Sequence, residues 1–512
     1  MKRNSLTTAV LAGLTGVAGM VGVSNAVNIN PDGLGQVLLY PYYTARGGND
    51  TLISIVNTTD NAKSVKVRFL EGLNSREVLD FNLYMSAFDV WAAGVTANAA
   101  GGATLLIPDS SCTVPYFFGS DNPVTEGARV GSVDFVNYGF TGPEDDEGPQ
   151  GIERVASGYI EVIEMGTLVD RERISATYAT HVPTDFGADG TFPRPLDCAS
   201  LVEAWTQSAN PAVDNFWLDD NAIDHDPPSG GLFGGASIIN VDEGVMFSYN
   251  AEAIDAFSTA ILHRAPGDIN PDLSAGSDTS NVFINGVVDT QTWPTGVEAV
   301  SATILFDTIM NEYVVNPQIG ARSEWVVNFP TKRFYVDQPF AIGTVPVAPF
   351  TVPWSAEFAC EPVDFTFWDR EEAPVEIQDI PPIISPPPPD GGDDPVFRLC
   401  FETNVLRFGG DDGALESEIL KEPRFTTFNV ESAGFVSGWV RFQFNSANPA
   451  IPEHATRPSA AGVQYLGLPA IGFWANTFSN GFTLGGTVQS NYGGTFRHRG
   501  SRRLQLAEPG QP

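Results

Sequence analysis

Positive charge is what this chain has least of: across 512 residues, 27 Lys and Arg face 62 Asp and Glu, giving a formal charge of −35 at pH 7. Only five of the 27 are lysine: Lys2, Lys63, Lys66, Lys332 and Lys421. A nucleic-acid partner needs a basic face to meet its phosphates, so nucleic-acid binding is excluded, and anionic membrane surfaces repel such a chain. Carboxylates also keep a surface hydrated under strong screening. The balance therefore suits a saline habitat as well as an ordinary acidic secreted protein. Histidine is scarce too: His181, His225, His263, His454 and His498 show no i, i+2 or i, i+4 pairing, so local spacing offers no zinc or iron pattern. There is no CxxC, Gly-x-Ser-x-Gly, His-Glu-x-x-His, Walker loop or dinucleotide fingerprint, and the enzyme classes that carry those signatures lose their support. No repeat of fixed period occurs, which argues against a solenoid or propeller.

Long apolar runs are missing after residue 26, so no transmembrane segment is predicted in the mature chain. Before it, Lys2 and Arg3 precede an uncharged run from Leu6 to Val23, followed by Ser24-Asn25-Ala26 with small residues at −3 and −1. That is the pattern of a secretory signal peptide over residues 1–26. It predicts a secreted protein, extracellular or at the cell surface, with the periplasm as the alternative. Cysteine is limited to Cys112, Cys198, Cys360 and Cys400, an even set that an oxidising compartment would bridge. Three connectivities are open. Cys112 with Cys198 and Cys360 with Cys400 is preferred, because the second pair brackets the Pro-, Gly- and Asp-rich stretch from Pro381 to Pro395.

Glycine (51) and proline (38) are abundant, hydrophobic residues make up 42%, and charged residues only 17%. This is a folded, turn-rich, helix-poor composition. Gln36 to Tyr43, Thr51 to Asn57, Ser64 to Leu70 and Glu77 to Tyr84 alternate with period two between polar turns. In one of them Val65, Val67 and Phe69 oppose Lys66 and Arg68, which predicts one buried and one wet face. The fold class read from this is mainly β, with antiparallel, immunoglobulin-like β-sandwich domains and a few short helices. The expected organisation is an N-terminal sandwich over 27–170, a mixed, mainly β region over 171–345, and a C-terminal β region over 346–512. Helical spacing marks Cys198 to Gln207 and Ala251 to Ala260, the latter capped by Asn250, and Val297 to Glu312 reads as a helix or a buried strand. Trp325 to Pro330, apolar on both faces, belongs in a sheet interior. The segment 374–395 reads as an excursion between two neighbouring strands, given the cysteine bracket.

No catalytic residue can be nominated. Asp219, Asp220, Asp224 and Asp226 concentrate oxygen ligands around His225 and are the candidates for Ca²⁺, the one cofactor the sequence suggests, although the EF-hand spacing is absent. Similar acidic clusters stand at Glu144 to Glu147, Asp390 to Asp394 and Asp411-Asp412. Aromatic runs such as Tyr40-Pro41-Tyr42-Tyr43 and Phe473-Trp474 would either stack on sugars or fill a core. Arg497-His498-Arg499-Gly500-Ser501-Arg502-Arg503 is a basic patch that would dock on the acidic body of this chain or a second copy, or else fray.

Gly35 to Tyr43, Ser54 to Asn57, Val67 to Gly72 and Trp325 to Arg333 resemble a group of uncharacterised secreted proteobacterial proteins. The Ile-Val-Asn-x-Thr phrase is similar to immunoglobulin-like modules of bacterial surface proteins. The resemblance implies export and supplies no activity. The expected role is an exported, non-enzymatic cell-envelope or extracellular protein that binds a protein or glycan, with self-association open. The alternatives are a hydrolase acting on polysaccharide through paired carboxylates, and a Ca²⁺-stabilised surface assembly subunit.

Overall fold

The computed structural model describes residues 26–117, 123–124, 128–185, 191–207, 215–355, 358–372, 374–376, 383–385, 396–410, 413–483 and 488–507. The signal-peptide run before Ala26 and the acidic stretches 390–394 and 411–412 lie outside them. The chain is mainly β, built from antiparallel sheets with few short helices.

Four large sheets stack in two pairs. The first sheet orders Asn28–Ile29, Glu252–Asp255, Val37–Thr44, Ser157–Leu168, Ala62–Glu71, Glu77–Met85 and Cys112–Val114. The second orders Gly131–Asp134, Ala103–Ile107, Val90–Ala97, Asn49–Asn57, Leu232–Asn240 and Val245–Asn250. Leu38, Tyr40, Val67 and Phe81 of the first meet Ile53, Ile55, Trp91 and Ile238 of the second in one core. The third sheet orders Pro374–Glu376, Glu361–Asp369, Ser437–Gln443, Thr308–Val314 and Arg499–Ser501. The fourth orders Ile383–Ser385, Phe425–Asn429, Thr403–Gly409, Ala321–Asn328, Ile471–Phe478 and Tyr492–Arg497. Its Thr403–Gly409 and Phe425–Asn429 strands pair in parallel. Phe365, Phe367, Val440 and Phe442 of the third close on Trp325, Leu406, Phe408 and Phe428 of the fourth.

The sheets cut across the expected regions. Leu232–Asn240 and Val245–Asn250 lie in the expected middle region yet complete the second sheet, while Thr308–Val314 and Ala321–Asn328 enter the second sandwich. The two sandwiches also share core: Val326, Val405 and Phe473 join the first cluster, and Val37, Leu39 and Ile163 join the second. Trp325 to Phe329 is buried, and its strand pairs on both sides, as expected of a sheet interior.

Ala251 to Ala260 is not a helix. Glu252–Asp255 is a strand paired with Val37–Leu39, because Ala253 and Ile254 gain more by packing between two strands than a short local helix offers. Val297 to Glu312 divides into a helix, Gly296–Ile304, and the strand Thr308–Val314. The bridges are Cys112–Cys198 and Cys360–Cys400. The second ties the start of Glu361–Asp369 to the end of Phe397–Leu399, which are hydrogen-bonded neighbours. The intervening segment is therefore an excursion between paired strands, and most of it lies outside the described residues.

The wet face expected for Lys66 and Arg68 is buried. Lys63 sits 2.7 Å from Glu164, Lys66 pairs with Asp80, and Arg68 reaches Glu161 at 2.7 Å and Glu77 at 2.8 Å. A later stretch, 257–275, crosses this face: Lys66 donates to the Asp268 carbonyl and Asn82 to that of Arg264. Cations survive there because each meets a carboxylate as it leaves water.

Candidate functional site

The outer face of the third sheet is open. On Glu361–Asp369 the side chains of Val363, Phe365 and Phe367 point into the core, leaving Asp364, Thr366 and Trp368 on the far side. On Ser437–Gln443 Val440 and Phe442 point inward and Trp439, Arg441 and Gln443 outward. The register sets Trp368 directly opposite Trp439. Their indoles stack with centroids 4.1 Å apart and planes 8° from parallel. Cross-strand neighbours reach such contact because their Cβ atoms lie about 5 Å apart. The adjacent pair, Asp369 and Gly438, holds the strands close: a Cβ at 438 would meet the Trp368 carbonyl at 1.8 Å. Trp439 remains 36% exposed. The Arg441 guanidinium lies 5.1 Å from the Trp368 ring centre, and its buried Nε has no hydrogen-bond partner among the described residues. Glu312, opposite Trp439 on the next strand, is exposed. Two large rings, a guanidinium and flanking hydroxyl, amide and carboxylate groups thus share one surface.

These rings were not the ones the sequence singled out. Tyr40, Tyr42, Tyr43, Phe473 and Trp474 are core residues, 5% exposed or less. The usable signal was phase: Trp368 and Trp439 each fall on the polar beat of an otherwise regular alternation.

The Ca²⁺ candidates do not converge. Asp224 is buried in a left-handed conformation, φ 57°. Its oxygens accept the backbone N–H of Arg171, Glu172, Arg173 and Ser175 and the Ser175 hydroxyl, at 2.8 to 3.2 Å. Burial alone would raise its pKa, but these bonds hold it below the usual carboxylate range. Asp226 pairs with Arg171, Asp220 accepts the Ala222 N–H, and Asp219 is exposed. Among the described residues no group of three or more His, Cys, Asp or Glu is arranged to hold a metal. In this loop Asp224 is thus engaged by the backbone of residues 171–175 and Asp226 by the Arg171 side chain, while Asp219 faces solvent. His225, at its centre, is buried; its ring stacks on His263 at 3.9 Å and contacts the Ile223 carbonyl and the Ser64 hydroxyl.

One cluster of catalytic residue types does assemble. Ser111 Oγ lies 3.3 Å from Asp89 and 2.7 Å from Asp109, joining two carboxylates. Burial, aided by the Asp89 charge, raises Asp109, although hydrogen bonds from Ser111 and Ala92 oppose this. His181 stands beside them, 2.9 Å from Ser86 Oγ, 3.4 Å from Ser110 Oγ and 3.6 Å from Asp89. The Ser110 hydroxyl donates to the Pro193 carbonyl, however, and the carboxylates accept the amides of Ser86, Val90, Ala92 and Ser111. These bonds shape the turns flanking Val90–Ala97 and Cys112–Val114. Glu402, pushed up to about 8 by burial despite nearby Lys332, is fully buried.

The basic patch is part of the fold. Arg497 ends the edge strand of the fourth sheet, and Arg499–Ser501 pairs with Thr308–Met310 in the third. Arg497 meets Glu252 at 2.6 Å and Arg503 meets Asp307 at 3.1 Å, so the patch docks on this chain's own acids. Comparison with family models, with curated proteins and with solved structures finds no match.

Proposed function

We propose that this chain is an exported β-sandwich protein of the cell envelope or extracellular space, and that it binds neutral polysaccharide across the open face of the third sheet. The observation that carries this reading is the stacked, solvent-facing Trp368–Trp439 pair with Arg441 beside it. Indole faces pack on the C–H faces of sugar rings, while Arg441, Gln443 and Asp364 are positioned to bond hydroxyls. A neutral glycan is favoured because a chain carrying −35 repels polyanions. Two disulfides fit an oxidising compartment, and among the described residues no helix is long and apolar enough to cross a membrane.

Affinity electrophoresis through a panel of neutral polysaccharides tests the reading. At least one should retard the protein, and Trp439→Ala should abolish most of the retardation while leaving the melting temperature nearly unchanged. Equal retardation of the variant, or none by any glycan, would sink the proposal. The Asp89–Asp109–His181 cluster favours a second reading as a hydrolase of the same substrates. New reducing ends that vanish in Asp109→Asn would establish it in place of simple binding.

A further inference from the structure

The six strands of the second sheet contain no Lys, Arg, His or Glu and only two Asp, Asp50 and Asp134, in a chain that is 17% charged as a whole. Strict alternation turns Ile53, Ile55, Trp91 and Ile238 into the core. It leaves Leu52, Val90, Leu106, Phe233 and Met246 on the far side, each 38 to 55% exposed. These side chains form one surface. The register sets Leu52 opposite Gly94 and Gly94 opposite Leu106, while Val56 stands between Val90 and Phe233. Gly94 adds no side chain, so the middle of the face is flat. Both aspartates fall in the row at one end, Asp134 opposite Thr104 and Asp50 opposite Ile239. At the other end Phe88, in the turn leading into Val90, is 68% exposed and held in a left-handed conformation, φ 55°. A bulky residue adopts that backbone state only at a cost. Among the described residues no segment crosses this face.

An open apolar surface of this extent marks an interaction site, and the charge of the whole chain selects what can cover it. Two bodies of −35 repel wherever carboxylates meet, so a second copy can approach only through a surface that lacks them, as this one does apart from its one acidic end. The dimensions agree. Six strands about 4.8 Å apart, with up to nine residues rising about 3.3 Å each, make a face of roughly 25 by 28 Å, or about 700 Å² before side-chain relief is added. A stable dimer buries about 800 Å² from each partner. Association through the sheet edges is less favoured: Thr495 donates to the Ser248 carbonyl along one edge strand, and the other, Gly131–Asp134, has only four residues. Leu, Val and Met side chains give a sugar no ring platform, and the strands supply no cation for a lipid headgroup.

We propose that two copies of this chain associate face to face through the outer surfaces of their second sheets, related by a twofold axis. Stacked sheets keep their strands nearly aligned, and like charge decides the orientation. With the axis across the strands, the aspartates of the two copies lie at opposite ends of the interface; with the axis along the strands they would meet. Leu52, Val56 and Phe233 then pack against the same surface of the second copy, and Phe88 closes the rim.

Sedimentation velocity on the full exported chain, from about 1 to 200 μM, tests this, with a dimer of micromolar dissociation constant expected. The dimer should tighten at least about threefold as NaCl rises from about 0.05 to 0.5 M, because screening relieves repulsion between the two bodies. Docking of the basic patch on a neighbour's acids would weaken instead. Leu52→Asp should loosen the dimer at least about tenfold by placing an anion in each half of the interface, with the melting temperature of the dilute protein nearly unchanged because the side chain is exposed. Phe233→Ser should act in the same direction without adding charge. Phe283→Asp, on the exposed face of the hairpin strand Thr279–Ile284, should leave the dimer intact. A monomer over the whole concentration range, a dimer that Leu52→Asp and Phe233→Ser leave untouched, or one that salt weakens would overturn the assignment. Flotation of such a monomer with phosphatidylcholine vesicles would give the face to lipid instead.

Discussion

The outer faces of the first and third sheets begin from the same kind of sequence and meet opposite fates. Lys66 and Arg68 alternate with Val65, Val67 and Phe69 much as Trp439 and Arg441 alternate with Val440 and Phe442. In the first sheet the stretch 257–275 crosses the polar beat and seals it, so every cation acquires a carboxylate partner. Among the described residues no such segment covers Trp368 and Trp439, and the polar beat there carries two large rings instead of ion pairs. Alternation states which residues share a face. Whether the polar face stays wet depends on chain nearly two hundred residues away, and the ion pairs are the trace of that coverage.

The largest effect should come from setting a sealed arginine against an open one. Beside the covered face, fully buried Arg154 bonds Glu71 at 2.8 and 2.9 Å and Asp146 at 2.6 and 2.9 Å, and stacks over Phe140. Arg154→Met leaves two carboxylates buried without their cation and should cost about 3 to 5 kcal/mol in urea denaturation. On the open face, Arg441→Ala gives up one cation–π contact and should cost about 1 kcal/mol or less. Equal losses would mean that the third sheet is covered in solution, and the contrast would collapse.

A second test uses protons. Under the covered side, burial lowers His225 to about 4 and His263 well below its ordinary value, so both are neutral in the fold. The unfolded chain takes up protons near pH 6.5 while the folded chain resists, so stability is complete above pH 6.5 and declines as pH falls toward 4. His225 alone should account for a loss on the order of 3 kcal/mol across that window. Carboxylates held low, such as Asp146 and Asp224, contribute losses only at still lower pH. Urea midpoints between pH 7.5 and 4 measure the slope, and His225→Phe should flatten it while lowering the plateau. An unchanged slope in the variant would show that these rings are not the titrating pair.

Much of the framework was legible in the sequence, since period-two runs and turn residues located most long strands and the cysteine bracket identified both disulfides. The information was local and sufficed where local pattern and tertiary pairing agree. It failed at Glu252–Asp255, where helical spacing gave way to a place beside Val37–Leu39, and at the sandwich boundary, because strands after residue 230 return to the second sheet. The candidate site was harder to see. Trp368 and Trp439 become a pair only through register across some seventy residues, and the arginines of the basic patch dock only through a tail that pairs with two different sheets. Composition left Tyr40 to Tyr43 open between sugar stacking and core packing, and they are core, because such a run looks the same whether a strand is covered on one face or two.

The smallest effect should come from the acidic loop that looked most like a cation site. Asp224 receives four backbone N–H groups and one hydroxyl, a set of donors that already satisfies the carboxylate. Asp224→Asn keeps the shape but turns one acceptor into a donor facing those amides, at an expected cost of about 1 to 2 kcal/mol. If the carboxylate serves the backbone, that cost is the same with Ca²⁺ or with a chelator, and the parent's melting temperature is unmoved by either. A rise in the parent's melting temperature with millimolar Ca²⁺, lost in Asp224→Asn, would show instead that the loop rearranges to release its oxygens. The covered side of the molecule would then carry a ligand site of its own, and the division between a sealed structural face and an open face proposed to bind would no longer hold.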